Sequence, residues 1–245
     1  MEGQTLIFNL DDTLIECNKY FKATIDEFTR QLQQWFPSLS KEEIQKVQLD
    51  LDMKAIETHG LDSSRFPESL ASTYKYFSEQ SGRDIQAEEL DVVRGIGKSV
   101  FEIEVEPLPH IYEVLEELRE EGHQLYLFTG GDEENQSRKI AQLELEKYFG
   151  NRVYIYTHKD AKALGSILDS IGANKNSTWM IGNSLKTDIK PAVELGITAV
   201  HIPSELEWSF NNEVDVTSIG TFMNLKSLTE LPELIRKGTR KHEAI

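Results

Sequence analysis

The apolar run Leu6-Ile7-Phe8 stops abruptly at Asn9-Leu10-Asp11-Asp12-Thr13, a cluster of amide, carboxyl and hydroxyl side chains. In an open α/β sheet the ligand crevice lies beyond the carboxyl ends of the strands, so a cluster just after a short apolar run is placed for chemistry. Side chains alternate along a strand, which puts Asn9 and Asp11 on the same side. Two groups so spaced suit a reaction that needs a nucleophile and a nearby proton carrier, with a divalent cation to manage the charge.

This spacing resembles the first motif of the haloacid dehalogenase-like superfamily, Asp-x-Asp-x-Thr, with Asn9 where the family has its nucleophilic Asp. Leu125-Tyr126-Leu127-Phe128-Thr129-Gly130-Gly131 is similar to the second motif, an apolar strand closed by a phosphoryl-binding Thr. Lys159, just before a helical pattern, resembles the lysine of the third, with Lys162 as the alternative. Met180-Ile181-Gly182-Asn183-Ser184-Leu185-Lys186-Thr187-Asp188-Ile189 resembles the fourth, Gly-Asp-Ser-x-x-x-Asp, again with Asn at its first acidic position. Each pattern alone is weak, but four in the family's order, each after an apolar strand, make chance resemblance a poor explanation.

The resemblance implies a Mg²⁺-dependent phosphatase. Residue 9 would attack phosphorus to form an aspartyl-phosphate, and Asp11 would protonate the leaving oxygen and later activate water. The Thr129 hydroxyl and Gly130 amide would bind the phosphoryl oxygens, and Lys159 would stabilise their charge. Asp188, the Asp11 backbone carbonyl and the side chain at position 9 would hold the metal, with Asn183 bonding a metal-bound water; oxygen ligands of this hardness imply Mg²⁺. Haloacid dehalogenation needs no leaving-group acid, so Asp11 favours phosphate ester hydrolysis. Asn9 is the departure: a carboxamide is a poor nucleophile toward phosphorus, so the chain as written is expected to be inactive or nearly so. It reads either as an intact enzyme changed at one position, the reading preferred because the other motifs persist, or as a relative that binds phosphoryl ligands without catalysing.

Length and composition agree with such a protein. The chain has 245 residues, enough for a core domain with a smaller insertion. Hydrophobic content of 39% and charged content of 28% are ordinary for a soluble protein, and no apolar run reaches a membrane span of roughly 20 residues. Met1-Glu2-Gly3-Gln4 runs straight into a strand without a signal peptide, so a cytoplasmic location is expected. The formal net charge of −16 opposes binding to nucleic acid or anionic membrane; the resemblance implies a small phosphate ester as the partner, and a monomer or homodimer is expected. Cys17 is the only cysteine, which excludes an intrachain disulfide and a cysteine zinc site. The histidines at 59, 110, 123, 158, 201 and 242 lack metal-ligand spacing and read as surface or packing residues.

The elements that must position these groups follow from periodicity. Strands are predicted at 4–9, 124–128, 152–156, 177–181 and 197–202, separated after Pro107 by helices near 109–121, 133–147, 160–171 and 185–195. Short apolar strands alternating with helices give an α/β fold, a Rossmann-like doubly wound parallel sheet. Between the first strand and residue 100 the pattern is helical throughout. Phe21, Ile25, Phe28, Leu32 and Trp35 form one stripe, read as packing core. Ser40-Lys41-Glu42-Glu43 is a capping box opening a helix through Ile44, Val47, Leu51 and Ile56, and two more helices follow near 67–81 and 86–99. This block reads as an inserted all-helical cap of the C1 type at residues 16–100, with residues 1–15 and 101–245 as the core. The resemblance implies that a cap at this position goes with small soluble phosphate esters such as a nucleotide, a sugar phosphate or phosphoglycolate, with Lys19, Tyr20, Arg94 and Lys98 as candidate leaving-group contacts. Gly97-Lys98-Ser99 fails as a phosphate-binding loop, because Val92 stands at the required first glycine and no strand precedes it. The basic run Arg236–His242 is expected to be a frayed, solvated terminus.

Overall fold

The strand β1 (Thr5–Phe8) lies at the centre of a six-stranded parallel sheet because Leu6, Ile7 and Phe8 are apolar in succession and all fully buried, the signature of a strand covered on both faces. The computed structural model describes residues 3–212 and 214–242. Met1 and Glu2, on which the expected absence of a signal peptide partly rests, lie outside them. The other strands are β2 (Gln124–Gly130), β3 (Val153–Tyr156), β4 (Thr178–Gly182), β5 (Thr198–His201) and β6 (Met223–Asn224), in the order β3-β2-β1-β4-β5-β6. β1 pairs with β2 on one side and β4 on the other, Phe8 standing opposite both Leu127 and Ile181. The ends of the first, second and fourth motifs are therefore brought to the same edge of the sheet, at the point where strand order reverses. The α/β class and the parallel sheet are as the sequence predicts; β6, two residues long, is too short to leave a periodic signal.

The chain divides into two units. One comprises residues 1–18, 105–130 and 136–245 and contains the sheet; the other comprises residues 19–104 together with Gly131–Asn135, a segment that the sequence reading assigns to the core.

In the sheet unit, α5 (Ile111–Glu120) buries Ile111, Val114, Leu115 and Leu118, the stripe its spacing predicts. The single helix expected at 133–147 is two, α6 (Glu133–Gln142) and α7 (Glu146–Phe149). Glu144 adopts φ +51°, and the N–H groups of Glu144 and Leu145 return to the carbonyls of Ala141 (3.1 Å) and Ile140 (3.0 Å). This is a Schellman closure, which glycine usually signals and here glutamate conceals. The expected frayed terminus is instead helical: α11 (Leu231–His242) follows the short α8 (Ala161–Ser170), α9 (Lys190–Glu194) and α10 (Val216–Ile219). Arg236 reaches Glu117 at 2.7 Å and Glu121 at 2.5 Å, pairs that satisfy a basic side chain the sequence alone leaves to solvent.

In the other unit the helices α1 (Asn18–Trp35), α2 (Lys41–His59), α3 (Arg65–Ser81) and α4 (Ala87–Ser99) enclose a core built on Phe28, Leu32, Ile44, Phe66, Leu70 and Tyr74. The capping box at Ser40 and Glu43 is formed in both directions. Gly97 is where α4 meets α3: a Cβ there would stand 2.7 Å from the Pro67 Cα, so the glycine permits the helix crossing. The buried face of α2 differs from the expected one. Ile44 is buried as predicted, but Gln48 and Asp52 join it, while Val47, Leu51 and Ile56 are only half-buried. Burial pushes the Asp52 carboxyl up to about 6, against the hydrogen bond from the Ser69 hydroxyl, which lowers it.

The folded state therefore holds the Asp52 proton more tightly than the unfolded chain. Its stabilising contribution is complete below the unfolded value of 3.8 and is lost as pH rises through about 6. Asp52→Asn is expected to gain about 2 kcal/mol relative to the unsubstituted chain between about pH 4 and about pH 7. Urea unfolding at the two pH values measures it, and parallel changes in both proteins would show that Asp52 is solvated.

Candidate active site

The first-motif cluster begins where β1 ends. Asn9 continues the strand direction, its N–H bonded to the Ile181 carbonyl at 2.9 Å, after which Leu10–Ile15 coil into a tight turn. Asp12 sits in that turn at φ +54°, a conformation that L residues other than Asn and Asp seldom adopt. Its carboxylate accepts from the N–H groups of Cys17 and Asn18, both at 3.0 Å, at the start of α1. Burial pushes Asp12 up to about 7, opposed by the Asn18 backbone bond. The motif pattern leaves Asp12 without a task; the fold uses it to fasten the turn that carries Asp11.

Two hydrogen-bonded groups share this strand edge. The first surrounds Asn9, which is 7% exposed. Its Nδ2 donates to the Asp11 backbone oxygen (2.8 Å) and to Asn183 Oδ1 (2.8 Å), with Thr13 Oγ1 at 3.3 Å. Its Oδ1 accepts from Lys159 Nζ at 2.7 Å. That contact decides which way the amide faces, since the reverse orientation would set an N–H₂ against an ammonium. Lys159 also pairs with Asp188 Oδ1, while Asp188 Oδ2 accepts from the Ser184 N–H at 2.9 Å. Burial lowers Lys159, and the Asp188 charge opposes this. Lys162, the alternative lysine, is exposed on α8.

The second group surrounds the Asp11 carboxylate. Lys139 Nζ lies 2.8 Å from Oδ1 and Gln136 Nε2 lies 3.0 Å from Oδ2. Gln136 Nε2 also reaches Thr129 Oγ1 at 2.5 Å, which ties the first motif to the second. Burial acts to depress Lys139, but the Asp11 charge and the neighbouring Cys17 carry it above its ordinary value. Burial, and next the Asp11 charge, push the Cys17 thiol well up. Gln136 and Lys139 were missed in the sequence. Their signal was there: spaced three apart, they share a face with Ile140, the buried face of an otherwise polar helix.

The fourth motif is shaped by Gly182. A Cβ at this position would lie 2.2 Å from Asp188 Oδ2 and 2.7 Å from its Cβ, so Asp188 folds back over the glycine. The intervening residues Leu185–Ile189 form a π-helical turn, and Ile189 N–H bonds Ser184 O at 3.1 Å. Pro191, without an N–H, then opens α9. His201, a surface or packing residue by its sequence, holds the Asn183 carbonyl from the next strand, with Nε2 at 3.0 Å. Gly182→Ala is expected to cost about 1–3 kcal/mol through overpacking against Asp188. Chemical denaturation reads this, and an unchanged midpoint would mean that Asp188 does not cover the glycine.

The profile of the haloacid dehalogenase-like hydrolase family matches residues 6–202. The chain belongs to this family. A search of curated proteins finds no match. Among solved structures, a haloacid dehalogenase-like family hydrolase from Xanthomonas campestris aligns with TM-score 0.81 at 21% identity, covering 98% of this chain and 94% of that one. A HAD phosphatase from Thermococcus onnurineus aligns with TM-score 0.58 at 20% identity, covering 95% and 97%. The HAD-hydrolase YfnB from Bacillus subtilis, described as bound to magnesium, aligns with TM-score 0.62 at 17% identity, covering 96% and 100%. Dehalogenases stand among the same neighbours, so the shared fold does not separate the two chemistries. Among the described residues no helix is long and apolar enough to cross a membrane.

The family's magnesium can be tested against the donors present. Among the described residues no group of three or more His, Cys, Asp or Glu is placed to hold a metal. The oxygens of Asp11 and Asn183 that would face a cation face the Asn9 N–H₂ instead. The residues as they stand do not fit the ion. Of the guessed leaving-group contacts, Arg94 pairs with Glu68 at 2.7 Å and Lys19 lies over the Tyr20 ring. Lys98 lines a shallow groove of about 500 Å³ with Arg65, Ser63 and Phe101 within the helical unit.

Proposed function

We propose that this hydrolase scaffold serves phosphate monoester hydrolysis and that Asn9 silences it in this chain. The observation that carries the reading is the Asp11 carboxylate, held by Lys139 and Gln136 beside Thr129 and two residues beyond position 9. The contacts fix where the carboxyl stands; having taken up a proton it would give it to a departing alkoxide and then take one from water, a duty that halide departure does not require. With Asp at position 9, its carboxylate would form the bond to phosphorus as the ester oxygen leaves with the Asp11 proton. Water would then break the acyl-phosphate, restoring both groups. Magnesium belongs to that carboxylate version, where the new carboxylate, the Asp11 carbonyl and Asp188 would hold it and it would neutralise phosphoryl charge. The substrate is a small soluble phosphate ester, and neither nucleic acid nor membrane is a partner.

A second reading is a phosphoryl-binding relative without turnover. It is favoured by the Asn9 amide, whose oxygen and nitrogen both have protein partners, as befits a settled structural residue. Phosphate release by the Asn9→Asp version with Mg²⁺, over a panel of small esters, separates the two. Activity supports the enzyme, and silence across the panel supports the binding protein. Chloride release from haloacids would instead identify a dehalogenase.

A further inference from the structure

The Asn9 amide does more than lack a charge. Its nitrogen stands 2.8 Å from each of two oxygens, the Asp11 carbonyl and Asn183 Oδ1. Thr13 Oγ1 also donates to Asn183 Oδ1 at 3.2 Å. An oxygen in place of that nitrogen would face two others with no proton between them, a cluster that calls for a cation. The negative charge within this group, on the fully buried Asp188, is met by the Lys159 ammonium and the Ser184 N–H, while the Asp11 carboxylate has Lys139. All the oxygens that the family's pattern would turn toward a metal are thus satisfied by protein donors.

We propose that in this chain the Asn9 N–H₂ and the Lys159 ammonium together take the cation's electrostatic role, so that the site is complete and ordered without a divalent metal. Asn9 is then a metal substitute as well as a lost nucleophile. The substitution at position 183 belongs to the same device. Asn183 Oδ1 accepts from the amide and from Thr13 without adding a second carboxylate beside Asp188, which would outnumber the single lysine. The inference concerns metal binding and not turnover, so it stands or falls separately from the phosphatase reading.

The test titrates Mn²⁺ into the full chain by electron paramagnetic resonance and follows thermal unfolding with EDTA and with Mg²⁺. The unsubstituted chain is expected to leave the free Mn²⁺ signal undiminished at about 1 mM and to unfold at the same temperature in EDTA and in Mg²⁺. Asn9→Asp is expected to bind Mn²⁺ on the order of a hundredfold more tightly. Its midpoint should rise by roughly 5–10 °C at a hundredfold excess of Mg²⁺ over Kd. Sub-millimolar Mn²⁺ binding by the unsubstituted chain would overturn the proposal, as would equal affinities for the two proteins. Should Asn9→Asp fold only with the metal present, the EDTA sample of the unsubstituted chain still decides, because a cation-dependent midpoint there contradicts it.

Discussion

Asn9→Asp is expected to raise phosphate release from a generic aryl phosphate, with Mg²⁺, by about 10⁴-fold or more. A carboxamide is neutral and lacks the anionic oxygen that a carboxylate brings to phosphorus, and position 9 is where the first motif places that group. A change of that size is about 5.5 kcal/mol of barrier, within what the loss of a covalent nucleophile removes. The gain depends on Asp11. The double change Asn9→Asp with Asp11→Asn is expected to fall by about 10²–10⁴-fold from the single, the range for a lost general acid. Loss of the Lys139 or Gln136 contact to Asp11 acts in the same direction without touching residue 9. Initial rates over a panel of small esters measure both effects. No turnover in the Asn9→Asp version over that panel would end the phosphatase reading, and full activity in the double variant would remove Asp11 from its proposed role.

The second large effect is on stability and comes from Lys159 and Asp188, whose side chains are 3% and 0% exposed. Removing one charge of a buried pair leaves the other without compensation, at a cost of about 3–5 kcal/mol. For a chain of this size Asp188→Asn is therefore expected to lower Tm by roughly 6–20 °C. Replacing both, as Lys159→Met with Asp188→Asn, should recover part of the loss, because no buried charge is then left alone. The pH dependence has a definite sign. Burial already holds Lys159 below its ordinary value, and without Asp188 it falls further. The folded state then releases that proton more readily than the unfolded chain. The Asp188→Asn deficit should be complete in acid and shrink as pH rises through the folded lysine's value toward the unfolded one. Differential scanning calorimetry across the alkaline range reads this, and a deficit below about 1 kcal/mol would mean that water reaches the pair.

The short apolar strands, the helices between them and the all-helical stretch before residue 100 were legible because they are local. Each strand or helix repeats its hydrophobic residues at its own period, and the Ser40 capping box announces the helix it opens. The order of the four motifs was legible too, since each follows a strand of a parallel sheet and so arrives at the same edge. What periodicity does not carry is the partner. Asn9 and Asn183 are 174 residues apart, and only the pairing of β1 with β4 sets their amides face to face. The Asp11 carboxylate finds Lys139 across 128 residues, through a helix whose inward face has only Ile140 to mark it among polar residues. Gln48 and Asp52 were hidden for the same reason, and Glu144 because a left-handed turn needs no glycine when the returning backbone bonds stabilise it. The sequence by itself determined the elements, their order and the residue types at the strand ends. The tertiary structure alone decided how each polar group is satisfied, because a buried donor or acceptor takes its partner from whatever the fold brings within hydrogen-bond reach.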